Sequence, residues 1–370
     1  MSGVKVDQDH EADLVDPPIW LSAQAHQGAV GQLKTFSASP VHAYLFVGPR
    51  GVGKEEIAHL FATALVCPER GCGTCENCRL ATANKHPDLI TVERTGSSIS
   101  VDQARLVSAA SLNRPKMAKR LVCVLHDFET VDEAAPALLK TIEEPPPDTV
   151  FIILTESVTP KLVTIASRCV EVRFGRISDQ EILDILLSDG VGGELAQRCA
   201  NISRGRLDIA RRASRDSEYF KVHELFRAIP QEITSNGNSI ILATDQILSA
   251  LDRATQFVTE LQEQEAREHD ELVKQGHSSL SRGDLLQRQK RELKRERLET
   301  LLGGLASLAS YYRDQLVSSI DSPHERLASY NKQQAMQAIE LIDQFTKVLD
   351  RNPNETMLIE ALFTRLSGLA

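Results

Sequence analysis

The apolar positions fall into two rhythms, and the change between them divides the chain. As far as residue 177, short apolar stretches recur and read as strands: Tyr44–Val47, Leu89–Val92, Leu121–Asp127 (ending in an acid), Val150–Thr155 and Val170–Phe174. Between them lie stretches of helical spacing. Ala25, Val30, Leu33 and Phe36 predict a helix over 22–38, and Ile57, Leu60, Phe61 and Leu65 predict one after residue 54. A helix over 102–112 is expected with Val101, Leu106 and Leu112 on its apolar side, and another over 133–144, stopped by Pro145, Pro146 and Pro147. A short helix covers 162–166. Strands that are apolar throughout and alternate with helices predict a parallel sheet covered on both faces.

From Ser178 the strand rhythm disappears. Ser178 and Asp179 suit an N-cap, followed by Ile182, Leu183, Leu186 and Leu187 at helical spacing, so 178–215 reads as a small helical unit. Residues 217–262 and 298–366 are also helical in pattern, with a stripe through Leu301, Leu302, Leu305 and Leu308. The segment 263–297 between them is highly charged. Arg288, Lys290, Arg291, Lys294, Arg295 and Arg297 mix with Glu292 and Glu296, as on a solvated helix; a nucleic-acid contact is the less common use of such a face. Residues 1–16 are polar and acidic and are expected to be disordered. The ordered part is expected to begin at Pro17, with Trp20 as a packing anchor.

Composition narrows the class. The chain has 370 residues, 42% of them hydrophobic and 25% charged, enough for two or three globular domains. It has no run of eighteen apolar residues and no apolar leader near Met1, so a cytoplasmic protein is expected. A formal net charge of -9 argues against a stand-alone nucleic-acid binder, though not against a subunit of an assembly whose basic surface lies elsewhere.

Four of seven cysteines cluster as Cys67-x4-Cys72-x2-Cys75-x2-Cys78. In a reducing compartment that spacing suits four thiolates around a tetrahedral zinc ion, a closed structural site; unrelated thiols or a redox pair are the alternative. Gly71, Gly73, Thr74 and Asn77 allow the tight turns. Cys123, Cys169 and Cys199 stand singly in apolar contexts and read as small core residues.

The run from Tyr44 to Ile57 carries the candidate chemistry. An apolar strand breaks into Gly48-Pro-Arg-Gly51-Val-Gly53-Lys54 and then into a helix, the context of a phosphate-binding loop. The position expected to hold Ser or Thr for Mg²⁺ is Glu55. Asp127 stands at the end of its strand, where an acid would hold the metal shell, but the next residue is Phe128, which cannot polarise water. Together Glu55 and Phe128 argue against efficient hydrolysis, which leaves ATP or ADP binding doubtful. Lys54 either holds a phosphate or stands in an empty loop. His126, beside Asp127, reads as packing at a strand end.

Four stretches together resemble the delta-prime family of bacterial DNA polymerase III clamp-loader subunits, within the AAA+ class. They are Gly48–Lys54, the cysteine cluster, Ala137-Leu-Leu-Lys-Thr-Ile-Glu-Glu-Pro-Pro146 and Ser167-Arg-Cys169, and the likeness runs from 20 to 215. The resemblance implies an α/β domain followed by all-α structure: an AAA+ P-loop domain over 17–177 with a zinc module at 67–78, a helical lid over 178–215 and a helical collar over 216–370. It implies that Arg168 is an arginine finger given in trans to a neighbouring ATPase subunit. It places Gly48, Gly51, Gly53, Lys54, Glu55, Asp127 and a first-sensor Thr155 in a degenerate nucleotide site, with Arg204 or Arg206 at a second-sensor position. The implied partners are gamma or tau and delta subunits, with the sliding clamp and primed DNA reached through the complex. No intrinsic catalysis and little DNA binding by the chain alone are implied; the polymerase chemistry belongs to another subunit. A gamma- or tau-type ATPase would be expected to keep Ser or Thr at 55 and Glu at 128. An independent zinc-containing DNA-binding protein is the other alternative.

Overall fold

The computed structural model describes residues 17–93, 99–128, 135–234, 236–274, 282–321, 332–349 and 353–369. The expectations for 1–16, for the start of the helix at 133 and for the charged stretch between 275 and 281 lie outside the described residues. The chain divides into two compact units, Met1–Gly190 with Ser203–Asp208, and Val191–Ile202 with Ile209–Ala370.

The first unit is built on a parallel sheet in the order β2-β3-β4-β1-β5, with β1 Ala43–Val47, β2 Leu89–Val92, β3 Leu121–Leu125, β4 Thr149–Thr155 and β5 Val170–Arg173. The apolar runs are continuous because both faces are covered. Tyr44, Phe46, Val122, Val124, Ile152 and Leu154 pack on one side with Val30 and Leu33 of α1 (Gln27–Ala38) and with α2 (Lys54–Val66). Leu45, Cys123, Leu125, Phe151 and Ile153 pack on the other with α4 (Val101–Ser111) and α5 (Ala135–Glu143). Between α2 and β2 lies α3 (Glu76–Thr82), and α6 (Val163–Ala166) precedes β5. The expected cap is present: the Ser178 hydroxyl accepts from the Glu181 N–H, and the Glu181 carboxylate accepts from the Ser178 N–H, starting α7 (Asp179–Ser188).

One apolar face differs from expectation. In α4 it is Ala104, Val107 and Ser111 that turn to the sheet, while Leu106 and Leu112 are 70% and 74% exposed. A capping box between Ser100 and Gln103 fixes where the helix begins. From that start, positions i, i+3 and i+7 face inward and the larger leucines do not. Cys169 is only partly buried, whereas Cys123 and Cys199 are core residues as expected.

The second unit is helical. It contains α8 (Gly193–Ser203) and α9 (Leu207–Arg215), which both reach its boundary with the first unit. The others are α10 (Ser217–Glu232), α11 (Gly237–Lys274), α12 (Arg282–Asp321), α13 (Lys332–Leu349) and α14 (Glu355–Ser367). Phe226, Ile247, Leu251, Leu301, Leu305, Leu308, Tyr312 and Phe363 form its core, so the leucine stripe on α12 is buried along most of its length. The described parts of the charged stretch continue α11 and open α12. There Gln262 and Gln289 each donate to the other's carbonyl, at 3.0 and 2.9 Å, and Arg288 pairs with Glu265. Among the described residues no helix is long and apolar enough to cross a membrane.

Candidate functional site: the two ends of helix α2

The loop that enters α2 is shaped by contacts only glycine permits. Gly48 donates its N–H to the Thr155 carbonyl at 3.1 Å, and a Cβ there would fall 2.3 Å from the Phe174 carbonyl oxygen. Gly51 and Gly53 adopt left-handed conformations, with φ of 73° and 89°. Val52 between them is buried, and its carbonyl lies 2.8 Å from His26 Nε2. Strand β1 thus leads through the glycine turn into the N-terminus of α2, the strand–loop–helix order expected from the sequence.

The charges around the loop are already committed to one another. Lys54, whose side chain is only 3% exposed, donates to the Pro49 carbonyl at 3.1 Å and to Glu55 Oε1 at 2.9 Å. Arg50 pairs with Asp127 at 3.2 Å and with Glu156. Asp127, just beyond β3, adopts a positive φ of 50°, and Phe128 behind it is fully buried. Thr155 directs its hydroxyl to the Ser157 carbonyl at 2.9 Å. Burial pushes the His126 imidazole below its usual range, and the Lys54 charge acts the same way, against the opposing pull of Glu93, Glu55 and Asp127.

The segment Ser203–Asp208 returns to this loop. Asp208 donates its N–H to the Gly51 carbonyl at 3.2 Å, and Leu207 lies against Gly53. Arg206 grips the Asp208 carboxylate with Nε and Nη2, at 3.2 and 2.7 Å. Arg204 is held at its carbonyl by Arg176 at 2.8 Å. Asp208, Arg50 and Glu156 escaped the sequence reading. Only the Arg206-Leu-Asp208 spacing hinted at an ion pair, and nothing in the sequence placed it on the loop.

At the opposite end of α2, Cys67 is the C-cap and Cys75 is the N-cap of α3, so the two helix ends bring their thiols together. The Sγ atoms of Cys67, Cys72, Cys75 and Cys78 all lie within 4.8 Å of one another, and Cys67 is 3.7 Å from both Cys72 and Cys75. Zinc–sulfur bonds of about 2.3 Å in a tetrahedron put sulfurs about 3.8 Å apart, so the donor set fits zinc. Backbone N–H groups of Cys75 and Cys78 point at the sulfurs of Cys72 and Cys75, each at 3.4 Å. Hydrogen bonds from Thr74 and Cys75 bring the Cys72 thiol down to about 6, whereas burial pushes the Cys75 and Cys78 thiols up. Asn77 ties the knuckle to α2 through the Val66 carbonyl at 3.0 Å, and Ile19 ties it to the entering chain through the Gly71 carbonyl.

Arg168 stands apart from the loop. It follows α6, where Nη1 donates to the Thr164 carbonyl at 2.8 Å and Nη2 meets Glu143 of α5 at 3.0 Å. Its side chain remains 39% exposed. The structure therefore gathers Gly48, Gly51, Gly53, Lys54, Glu55, Asp127 and Thr155 around one loop, Cys67, Cys72, Cys75 and Cys78 around one point, and leaves Arg168 on its own edge.

Residues 30–178 match the family described as DNA polymerase III, delta subunit. The DNA polymerase III subunit delta' of Bacillus subtilis is 33% identical over 213 residues, covering 55% of this chain and 64% of that protein. The subunit delta' of Pseudomonas aeruginosa is 37% identical over 141 residues, 36% of this chain and 43% of that protein. A DNA polymerase III subunit tau, from Bacillus subtilis, is 35% identical over 147 residues, 38% of this chain and 26% of that protein. The chain thus spans less than two thirds of the length of these relatives, and the resemblance read from its motifs to the delta-prime family is borne out.

Proposed function

We propose that this chain, similar to delta-prime subunits of bacterial DNA polymerase III, serves as the delta-prime subunit of a clamp loader. In that role it helps to place the sliding clamp on primed DNA during replication, in the cytoplasm, beside delta and gamma or tau subunits. The zinc knuckle is structural and holds the end of α2. Arg168 is the group given to the neighbour: a fixed, forked cation suited to charge developing on a γ-phosphate bound next door. The polymerase reaction itself belongs to another subunit.

One observation carries this reading. The loop's own cations, Lys54 and Arg50, are turned onto carboxylates of the same chain, while Arg168 is carried at a half-exposed edge by Glu143. Phe128, buried where a water-polarising glutamate would be needed, removes the local route to hydrolysis. The similarity to tau subunits keeps a second reading in view, a working ATPase in which Glu55 ligates the metal.

Co-expression with gamma or tau and delta tests the assignment: the chain is expected to co-purify with them. Arg168→Ala is expected to leave that assembly intact and to lower its DNA-stimulated ATP hydrolysis at least about tenfold. Unchanged hydrolysis would remove the finger, and rapid phosphate release by the isolated chain would establish the ATPase reading instead. Tight, salt-sensitive binding of DNA by the isolated chain would point to the independent DNA-binding alternative.

A further inference from the structure

We propose that the outward face of α12, through Lys290, Arg291 and Lys294, is a contact surface for the phosphate backbone of double-stranded nucleic acid. The choice of nucleic acid over other polyanions rests in part on the proposed role at primed DNA. The contact itself requires neither Arg168 nor ring partners, so it holds or fails separately from that role.

The first support is how the charges sort around the helix. Helices α11 and α12 run antiparallel, since Asp252 meets Arg297, Gln262 meets Gln289 and Glu265 meets Arg288. The side of α12 turned to its neighbours carries Leu285 and Gln289, 2% and 5% exposed. It also carries the acids: Glu292 accepts from Gln262 Nε2 at 3.3 Å, and Glu296 pairs with Arg212. Gln287, Lys290, Arg291 and Lys294 follow the i, i+3, i+4, i+7 spacing of a single face, and all four are exposed. Arg288, Arg295 and Arg297 each have a carboxylate within the chain, on Glu265, Glu299 and Glu355. Among the described residues Lys290 and Lys294 have none, and Arg291 donates only to the Gln287 carbonyl, at 3.2 Å.

The second support is that the fold has no use for these three cations. Among the described residues the apolar core of the second unit ends at Ala254 on α11 and at Leu298 on α12. The part of α12 before Leu298, from Arg282 onward, adds about 24 Å of helix beyond that core. Lys290 and Lys294 stand at i and i+4, a like-charge pair that weakens a helix by itself. An external polyanion would neutralise it. The three cations lie within about 6 Å along the axis, the reach of neighbouring phosphates on one strand. Gln287, one turn earlier, adds an amide donor. Residues 282–297 contain no aromatic side chain. The centre of a protein interface gathers aromatics and sheds charge, whereas phosphate contact needs only cations and donors. The face therefore suits a nucleic-acid backbone better than an acidic polypeptide. With a formal net charge of -9 on the whole chain, the contact is weak and local.

Fluorescence anisotropy of a labelled mixed-sequence duplex of about 20 base pairs, titrated with the full chain, tests the proposal. The wild type is expected to bind with a Kd on the order of 10–100 µM at about 50 mM salt. Three phosphate contacts predict a loss of about fortyfold between about 50 and 200 mM salt. Replacing Lys290, Arg291 and Lys294 together by Ala is expected to weaken binding at least about tenfold at the lower salt and to flatten the salt dependence. The same loss of charge elsewhere in the unit, by Lys221→Ala, Lys332→Ala and Lys347→Ala together, is expected to change Kd less than about twofold. The melting transition reports that both triple variants are folded. No detectable binding by the wild type would overturn the proposal, as would equal weakening by the two triple variants. Polyglutamate that bound as tightly as the duplex, and was lost with the same three residues, would give the face to an acidic polypeptide and overturn the nucleic-acid assignment.

Discussion

Helix α2 has a glycine-rich turn at each end, and the two turns have opposite electrostatic fates. At the N-terminal end, among the described residues, charges pair within the chain: Lys54 with Glu55, Arg50 with Asp127 and Glu156, Arg206 with Asp208. At the C-terminal end four sulfurs converge within 4.8 Å, and the groups aimed at them are mainly backbone N–H donors. Those donors favour the thiolate at Cys72, while burial pushes Cys75 and Cys78 up, and thiolates so close together would repel unless a cation stood between them. One end is paired within the chain, and the other gathers four sulfurs that could hold a metal ion. A motif alone therefore does not reveal whether its ligand is needed; the charges that surround it do.

The largest expected effect is at the cysteine end. Cys75→Ser, or removal of metal by a chelator, should lower the melting temperature by about 6–20 °C, because roughly 3–5 kcal/mol is lost and each 1 kcal/mol shifts a domain of this size by about 2–4 °C. Metal analysis should find about one equivalent of zinc per wild-type chain. A variant that melts with the wild type would break the comparison.

A smaller effect is expected at Asp88, which shows what a carboxylate seated on backbone donors contributes. Burial pushes this group up, but the N–H groups of Ala118, Lys116 and Met117 outweigh that and hold it below the usual aspartate range. A lowered folded value means the stabilisation is present at neutral pH and is lost as pH falls below about 4. Asp88→Asn should cost about 2 kcal/mol at pH 7 and flatten the acid limb of stability, measured by urea unfolding across pH. The smallest effect is expected at the paired end. Lys54→Met leaves Glu55, whose side chain is 42% exposed and can turn to water, so stability should change by no more than about 1 kcal/mol in the same assay. A collapse of stability there would mean that the loop's ion pairs hold the fold and do more than balance charge.

The elements were legible where local chemistry is strong. The five expected strands are present, though the third ends at Leu125 rather than Asp127, and of the cap candidates Ser178 and Asp179 it is Ser178 that caps, with Glu181 as its partner. Helix α4 shows where local pattern fails. Leu106 and Leu112 are the larger apolar residues, yet the cap at Ser100 and the close approach to the sheet select Ala104 and Val107. Helical spacing gives candidate faces, and packing space chooses between them. At the loop the glycines and Lys54 were legible, and so was the oddity of Glu55. Its pairing with Lys54 needed the fold, because adjacent residues on a helix do not ordinarily face each other.

By itself the sequence determined which ligand types are present and at what spacing: four thiols over twelve residues, a glycine turn between an apolar strand and a helix, and an arginine after a short helix. Those features are short-range, so the covalent chain carries them directly. Tertiary structure alone decided which charges meet. Glu156 reaches Arg50 across 106 residues, and Asp208 comes back to Gly51 from farther still. A charge acts through space over a few ångströms, and only the folded chain sets those distances.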